Sequence, residues 1–166
     1  TATIAVQAAL TGHLVLSTLH TNDAPGAIAR LIDIGVEPFL IASSLSGVVA
    51  QRLVRKICTH CKKSYTPDPG LLKDLGLQGK KLSFLRGEGC QECRGSGYSG
   101  RVAIFELLAM DESIRQLTVS RASASQIRTQ AREAGFKQLR HDGLVKAVSG
   151  QTTLEEVFRV TQEIDE

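Results

Sequence analysis

The chain has 166 residues, of which 42% are hydrophobic and 22% are charged, and its formal net charge is +3 at pH 7. This composition is typical of a globular domain and excludes an intrinsically disordered chain. The longest stretch of low polarity, residues 39–50, is shorter than the roughly 20 apolar residues of a membrane-spanning helix, so we predict no such span.

The charge is unevenly distributed along the chain. Residues 52–101 hold eleven Lys and Arg against four Asp and Glu, which makes this segment +7, whereas the rest of the chain is −4. Such an asymmetry predicts a basic lobe beside an acidic body.

The first 57 residues predict part of an α/β sheet. Residues 1–11 indicate a helix that ends at Gly12, and because no N-cap precedes it we expect the chain to be a fragment of a longer protein. Leu14–His20 is a short apolar run that predicts a strand buried on both faces, as in a parallel sheet. Two further helices and a second strand are predicted after it: helices over residues 23–34 and 38–45, and a strand over residues 48–57.

The middle of the chain, residues 58–100, is rich in loop-forming residues. It holds all four cysteines and eight of the fifteen glycines. A short helix near residues 71–75 and a short strand near residues 82–85 are predicted within it, and a longer strand over residues 101–108 follows.

Only helices are predicted after Asp111. Ser123 with Gln126 has the spacing of a capping box, and so does Thr153 with Glu156. One face of the last helix is marked by five side chains: Leu154, Val157, Phe158, Thr161 and Ile164. We therefore predict an α/β core over 1–57, a cysteine-containing lobe over 58–100, and a closing strand with a helical subdomain over 101–166.

The four cysteines form two Cys-x-x-Cys pairs, Cys58 with Cys61 and Cys90 with Cys93. Zn²⁺ prefers four thiolates in a tetrahedron, and two such turns present four sulfurs to one point, so we predict a zinc site. The site is structural, because four cysteines leave no coordination position open. Two disulfides, two redox-active dithiols or four unrelated thiols are the alternatives, and His60 could replace one cysteine as a ligand.

No complete catalytic motif is present in these 166 residues. The nearest approach to a phosphate-binding loop, at Gly79-Lys80, lacks the first glycine and the hydroxyl residue. His13 and His20 flank the first predicted strand. His20 stands at its C-terminal end, where parallel sheets bind ligands, which makes it a candidate ligand-contacting residue. The alternative is that His20 caps its own turn.

Residues 11–23, TGHLVLSTLHTND, resemble the histidine box of the ATPases of type II secretion and type IV pilus assembly. The retraction ATPases of the pilus system generally lack cysteine pairs, so the resemblance is to the secretion and assembly ATPases. Residues 31–35 and 105–108 favour type II secretion over pilus extension. The resemblance extends through both cysteine pairs and four further stretches: residues 29–31, 35–39, 50–55 and 97–108.

This resemblance implies a partial RecA-like motor domain, with residues 1–57 as the C-terminal part of the ATPase core. It implies a cytoplasmic homo-hexamer, peripheral at the bacterial inner membrane, that hydrolyses ATP with Mg²⁺ to drive pseudopilus or pilus assembly. His20 would act as a catalytic residue, and His13 with His20 would lie near the γ-phosphate. The partners would be inner-membrane platform proteins, with the basic lobe touching the membrane surface. In the family the phosphate-binding loop, the acidic Walker residues and the arginine fingers precede this region.

Two other interpretations rest on the cysteines. The spacing from Cys90 to Gly97 also matches the zinc repeat of Hsp40-type chaperones, which would make the chain a non-enzymatic zinc-binding interaction module. However, the first cysteine pair lacks the following glycines. A nucleic-acid zinc ribbon is motivated by the basic lobe. Because only three aromatic residues are available there for stacking, we expect no nucleic-acid partner. Neither interpretation explains the histidine box.

Overall fold

A computed structural model describes residues 1–79 and 82–162 of the chain. The described residues have the mixed α/β composition that the sequence predicts. Their elements are α1 (Ala2–Leu10), α2 (Ala24–Asp33), α3 (Pro38–Ser44), β1 (Gly47–Ile57), β2 (Lys62–Tyr65), α4 (Pro69–Asp74), β3 (Phe84–Gly87), β4 (Tyr98–Ala109), α5 (Glu112–Val119), α6 (Ala124–Glu133), α7 (Leu139–Val148) and α8 (Leu154–Thr161).

The chain divides into two compact units. The first comprises Thr1–Ala50 and Glu106–Lys137, and the second comprises Gln51–Phe105 and Gln138–Glu166. Helices α5 and α6 therefore belong to the first unit, and α7 and α8 belong to the second. The predicted boundaries at residues 57 and 100 do not coincide with this division, and the domain boundaries of a longer protein stay a prediction.

Strands β1 and β4 form a two-stranded sheet. Backbone hydrogen bonds beyond its two ends join Ser46 to Met110 and Cys58 to Gly97, so the two strands run antiparallel. Both strands were predicted, and each is longer than its apolar run because the ladder continues into polar residues.

The first unit is assembled around helix α2. The carboxylate of Asp23 accepts the N–H of Gly26 as an N-cap, and Pro25 in the first turn fits because the first helical amides have no intrahelical partner. Helix α2 packs against α6, and α5 packs against both α6 and α3. Their apolar faces, with the end of β4, bury one cluster: Ala24, Ile28, Leu108, Met110, Ile114, Ile127 and Ala131.

The second unit contains the short sheet of β2 and β3 and the helix pair α7 and α8. Strands β2 and β3 pair antiparallel, from Lys62 opposite Gly87 to Tyr65 opposite Phe84. A sheet of two four-residue strands is only marginally stable by itself, so it depends on packing against other elements. That packing is a second apolar cluster: Leu75, Leu77, Phe84, Ala147, Leu154 and Val157.

The predicted strand at Leu14–His20 is wrong for this structure. Residues 13–21 have neither helix nor strand, and the side chain of Leu14 is 89% exposed. A strand buried on both faces needs a neighbour at each edge to accept its backbone hydrogen bonds. In the described part of the chain β1 pairs with β4 and β2 pairs with β3, and neither sheet includes this segment.

Two predicted capping boxes have different outcomes. Ser123 and Gln126 form the complete box at the start of α6. At the start of α8, Thr153 accepts the N–H of Glu156, but the Glu156 carboxylate accepts the N–H of Arg55 instead of returning to Thr153. The predicted contribution of Ile164 to the face of α8 lies outside the described residues.

Among the described residues, no helix combines the length and the apolar character that crossing a membrane requires.

Candidate metal centre

The four cysteine sulfurs come together in the second unit. All of them lie within 4.8 Å of one another. Sγ of Cys58 is 3.8 Å from Sγ of Cys90, Sγ of Cys61 is 3.8 Å from Sγ of Cys93, and Sγ of Cys90 is 3.6 Å from Sγ of Cys93. A disulfide would require about 2.05 Å, and all four cysteines are free thiols.

These distances fit a tetrahedral metal. With metal–sulfur bonds of about 2.3 Å, the edge of a regular tetrahedron is about 3.8 Å. The three shortest sulfur pairs are already at that spacing, so the four thiols could bind a soft divalent ion with little rearrangement. The predicted cluster of Cys58, Cys61, Cys90 and Cys93 is present as expected in the chain's described part. His60 is exposed and does not belong to it.

Strands β1, β2 and β3 position the two cysteine pairs. Cys58 follows the last residue of β1, and its N–H donates to the carbonyl of Gly97 at 2.9 Å. Cys61 precedes β2, and its carbonyl accepts the N–H of Glu88 at 3.1 Å. Cys90 follows β3 closely in the chain. Backbone hydrogen bonds therefore tie the two pairs together without any metal.

Backbone amides point at two of the sulfurs. The N–H of Cys90 donates to Sγ of Cys93 at 3.1 Å, and the N–H of Gly97 donates to it at 3.3 Å. The N–H of Gly89 donates to Sγ of Cys61 at 3.3 Å. Amides placed in this way favour thiolate over thiol, as a metal ligand requires.

The amides separate the acidities of the two thiols. Burial raises the pKa of Cys93, but the amides of Cys90 and Gly97 outweigh that effect and lower the pKa to about 6. Burial raises the pKa of Cys61 to about 12, and its single amide donor does not compensate. A bound cation would favour the thiolate form of all four cysteines.

Gly97 is the residue that the loop geometry requires. Its φ is +74°, and a Cβ there would lie 2.4 Å from the carbonyl oxygen of Gly87. A side chain would collide with backbone, and it would displace the amide that donates to Cys93.

The basic residues around the cluster are mostly solvated. Lys63 forms an ion pair with Glu88 at 2.6 Å between two exposed side chains, and an exposed pair of this kind contributes little to stability. The guanidinium of Arg86 lies 5.4 Å from the ring centre of Tyr65. None of the described hydrogen bonds joins either of these basic side chains to a cysteine sulfur.

The two predicted histidines belong to the first unit, not to the unit of the cysteines. His20 is exposed in the segment without helix or strand. His13 is also exposed, and its Nδ1 lies 3.0 Å from the hydroxyl of Thr11 and 3.3 Å from the carbonyl of Ala8. The cap of α2 is Asp23.

Buried acidic residues were missed by the sequence analysis. Glu106 is 2% exposed in β4, and Glu156 is 1% exposed in α8. Glu106 lies between Ile104 and Leu108 on the buried face of β4, and Glu156 lies between Leu154 and Val157, which are also buried. A charged residue at an inward position of an apolar pattern was the available signal.

Comparison with known proteins identifies the family. The family model described as "Type II/IV secretion system protein" matches residues 1–159. The chain belongs to this family. The resemblance seen at the histidine box and at the cysteine pairs is thus confirmed.

Relatives from both branches of the family are about half identical to the chain. The type IV pilus assembly ATPase PilB of Thermus thermophilus is 55% identical over 98% of this chain, which corresponds to 19% of that protein. The type II secretion system protein E of Pseudomonas aeruginosa is 51% identical over 98% of this chain and 32% of its own length. The chain thus spans about a fifth to a third of these relatives.

A solved structure shares the fold. The crystal structure of the pilus retraction motor PilT with bound ADP superposes with a TM-score of 0.61 at 24% identity. The match covers 95% of this chain and 35% of that motor. At this identity it establishes similarity of fold only.

Proposed function

We propose that the chain is the C-terminal part of a RecA-like motor ATPase that powers type II protein secretion by driving pseudopilus assembly. The observation that supports this is the identity of 51–55% over nearly the whole chain to proteins named as secretion or pilus-assembly ATPases. Extension of a type IV pilus is the second candidate, because a pilus assembly ATPase is 55% identical to the chain. In either case the motor works as a cytoplasmic homo-hexamer, peripheral at the inner membrane, on platform proteins embedded there.

The secretion and pilus functions differ in what a deletion strain loses. The gene for the full-length protein is deleted and then restored, and protein export and surface pili are scored in the same cells. We expect export to disappear and return while pili are unaffected. Loss of pili with normal export would transfer the assignment to pilus extension, and loss of neither would contradict both.

His20 is the residue of this chain that we assign to the chemistry. Its imidazole is exposed and lies in a segment without helix or strand, so a nucleotide can reach it. Facing the γ-phosphate of Mg²⁺-bound ATP, it would stabilise the charge that develops there, with His13 next to the same nucleotide. The phosphate-binding loop and the Mg²⁺ ligands would come from the rest of the motor.

The histidine assignment predicts a loss of turnover rather than of binding. In the full-length protein, His20→Ala lowers kcat for ATP by about tenfold or more, and the KM changes much less, because the contact strengthens in the transition state. His141→Ala is the matched control, since His141 is also exposed but lies on α7. Phosphate release by both variants decides the matter, and unimpaired turnover in His20→Ala removes the assignment.

We also propose that Cys58, Cys61, Cys90 and Cys93 hold one structural Zn²⁺. The support is the 3.6–3.8 Å spacing of the sulfurs together with the amides that favour thiolate. When bound, the ion would link the end of β1 to the loop before β4 and so fix the lobe that carries the positive charge. That lobe is the part of the chain that we assign to contact with the anionic membrane surface.

The zinc assignment has a matched control inside the first pair. Cys61→Ser lowers the bound zinc of the purified chain from one equivalent to near zero, whereas His60→Ala retains one equivalent, because His60 is exposed and outside the cluster. Metal content by elemental analysis gives the answer. One equivalent in Cys61→Ser, or two disulfides by mass in the unaltered chain, would contradict the assignment.

A further inference from the structure

Two carboxylates from different parts of the chain accept hydrogen bonds from backbone amides at the start of helix α2. Asp23 is 5% exposed, and its Oδ1 accepts the N–H of Gly26 at 2.9 Å. Its Oδ2 accepts a hydrogen bond from the guanidinium of Arg128 in α6 at 2.5 Å. Glu106 in β4 is 2% exposed, and its Oε1 accepts the N–H of Ala24 at 2.6 Å.

These groups meet inside an apolar environment. Ala24 and Ile28 of α2 are fully buried against Leu108 of β4, so the helix is already held by apolar packing. Burying two carboxylates beside that packing costs desolvation energy, which their hydrogen bonds and Arg128 offset. Apolar packing has no preferred direction, whereas hydrogen bonds to the first amides fix the position and the direction of the helix start. The carboxylates therefore define geometry more than they add stability.

We call the contacts of Asp23, Glu106 and Arg128 at the start of α2 the junction. The segment that leads into this junction carries His20. His20 lies three residues before Asp23, and every residue from 11 to 20 is exposed. Three residues span at most about 10 Å, so the place where the chain enters α2 limits where the imidazole can be. The hydroxyl of Thr21 donates to the carbonyl of Asp23 at 3.1 Å, which extends the ordered contacts one step closer to His20.

We propose that Glu106, together with Asp23 and Arg128, positions His20. Glu106 acts through the backbone of Ala24, and Arg128 acts through Asp23, so that the C-terminal end of the histidine segment is fixed relative to β4 and α6. This inference rests on the proposed role of His20 in ATP turnover.

The test compares variants of two buried carboxylates, each of which accepts a hydrogen bond from a backbone amide. Glu106→Gln keeps the shape and an acceptor oxygen but loses the charge. Glu156→Gln makes the same change in the second unit, where Glu156 accepts the N–H of Arg55 at 3.0 Å. In the full-length protein we expect Glu106→Gln to lower kcat by about fivefold to tenfold with a KM within about threefold, and Glu156→Gln to leave kcat unchanged although both lower the Tm.

A double variant separates positioning from general damage. If Glu106 acts through His20, then His20→Ala with Glu106→Gln is no slower than His20→Ala alone. If the double variant is slower by the full factor of Glu106→Gln, the inference is overturned. Should Glu106→Gln fail to accumulate as folded protein, Arg128→Lys tests the same junction, because it keeps the charge but alters the contact with Asp23.

A second readout does not depend on catalysis. In the 166-residue chain, NMR order parameters of residues 19–22 should fall in Glu106→Gln and not in Glu156→Gln. Unchanged order parameters overturn the inference even if His20 is catalytic. If His20→Ala keeps full turnover, the proposed role of His20 fails, and the order parameters alone then decide whether the junction holds the segment.

Discussion

Glu156 is a carboxylate with no exposed side-chain surface and two arginine partners. Its Oε2 lies 2.7 Å from Arg55, and its Oε1 lies 2.7 Å from Arg159. Arg55 also lies over the ring of Tyr98, with its guanidinium carbon 4.1 Å from the ring centre. Burial by itself would raise the pKa of Glu156, but the hydrogen bonds from Arg159 and Arg55 outweigh it and lower the pKa to about 2.

This carboxylate makes stability depend on acid pH. Because the pKa is about 2 in the folded chain and about 4.3 in the unfolded chain, the contribution of Glu156 is complete above about pH 5 and is lost as the pH falls towards 2. We expect the free energy of unfolding to drop over that interval by at most about 3 kcal/mol from this group, since one pKa unit corresponds to about 1.4 kcal/mol. Urea titrations between pH 2 and 6 measure it.

Glu156→Gln provides the comparison for the pH dependence. The variant is less stable at pH 7, because it loses the charge that both arginines face, and its stability depends less on pH below 5. Glu155→Gln is the control, since Glu155 is the adjacent exposed residue that accepts the hydroxyl of Tyr65. An identical acid dependence in Glu156→Gln and the unaltered chain would contradict the prediction.

At the scale of elements, the connection between α7 and α8 serves as an edge partner for β1. The N–H of Arg55 donates to the carboxylate of Glu156, and the carbonyl of Arg55 accepts a hydrogen bond from the hydroxyl of Thr152 at 2.8 Å. The N–H of Ile57 donates to the carbonyl of Gln151 at 2.9 Å. A strand edge left open exposes unpaired amides to other chains. Here loop and side-chain groups pair with three backbone groups of Arg55 and Ile57 in place of a third strand.

Gly143 of α7 lies close to Val157 of α8. A Cβ at Gly143 would lie 2.6 Å from Cγ1 of Val157, which is fully buried and has no space to move away. Gly143→Ala gains about 1 kcal/mol of helix propensity but overpacks this contact at a cost of about 1–3 kcal/mol. We expect a net loss of about 1 kcal/mol in the free energy of unfolding by urea.

A second substitution tests the cause of that loss. In a Val157→Ala background the obstructing methyl groups are absent, so adding Gly143→Ala should stabilise the chain instead of destabilising it. The sign of the effect therefore reverses between the two backgrounds. A loss of equal size in both would show that the close contact between the helices is not responsible.

At the scale of the whole molecule, each unit has its own apolar cluster. The cluster of the first unit uses α2, the end of β4, α5 and α6, and that of the second unit uses β3, α7 and α8. The cysteines belong to the second unit. The two short strands β2 and β3 have only four residues each, so the proposed Zn²⁺, when bound, would be a strong constraint on the loops that flank them.

Removing the metal should therefore loosen one part of the chain selectively. With a chelator present, we expect amide hydrogen exchange to accelerate in β2, β3 and residues 88–97, and to stay slow in α2, α5 and α6. Exchange followed by mass spectrometry measures this, and added Zn²⁺ should restore the slow exchange. Uniform acceleration over the chain, or none anywhere, would be inconsistent with a structural metal confined to the second unit.

Local signals made much of the structure predictable. Asp23 and Ser123 begin helices because each side chain caps an amide two or three residues ahead, and Gly135 follows the end of α6 because its φ is +95°. The cysteine cluster was predictable from its two Cys-x-x-Cys turns, each of which brings two sulfurs together within four residues, and from the preference of Zn²⁺ for four thiolates, although 32 residues separate Cys58 from Cys90. Short motifs likewise indicated membership of the family. The zinc ion and the role of His20 stay predictions.

Other features depended on contacts between distant residues. Eighty-two residues separate Ala24 from Glu106, and 101 separate Arg55 from Glu156, so no local pattern could show which carboxylates are buried and what they hold. The segment around Leu14 has the composition of a buried strand, yet a strand forms only where another supplies its hydrogen bonds. Sequence by itself therefore determined the helices, the two Cys-x-x-Cys pairs and the family, because their signals lie within a few residues. Only the tertiary structure decided strand pairing and carboxylate burial, because both depend on which distant segments pack together.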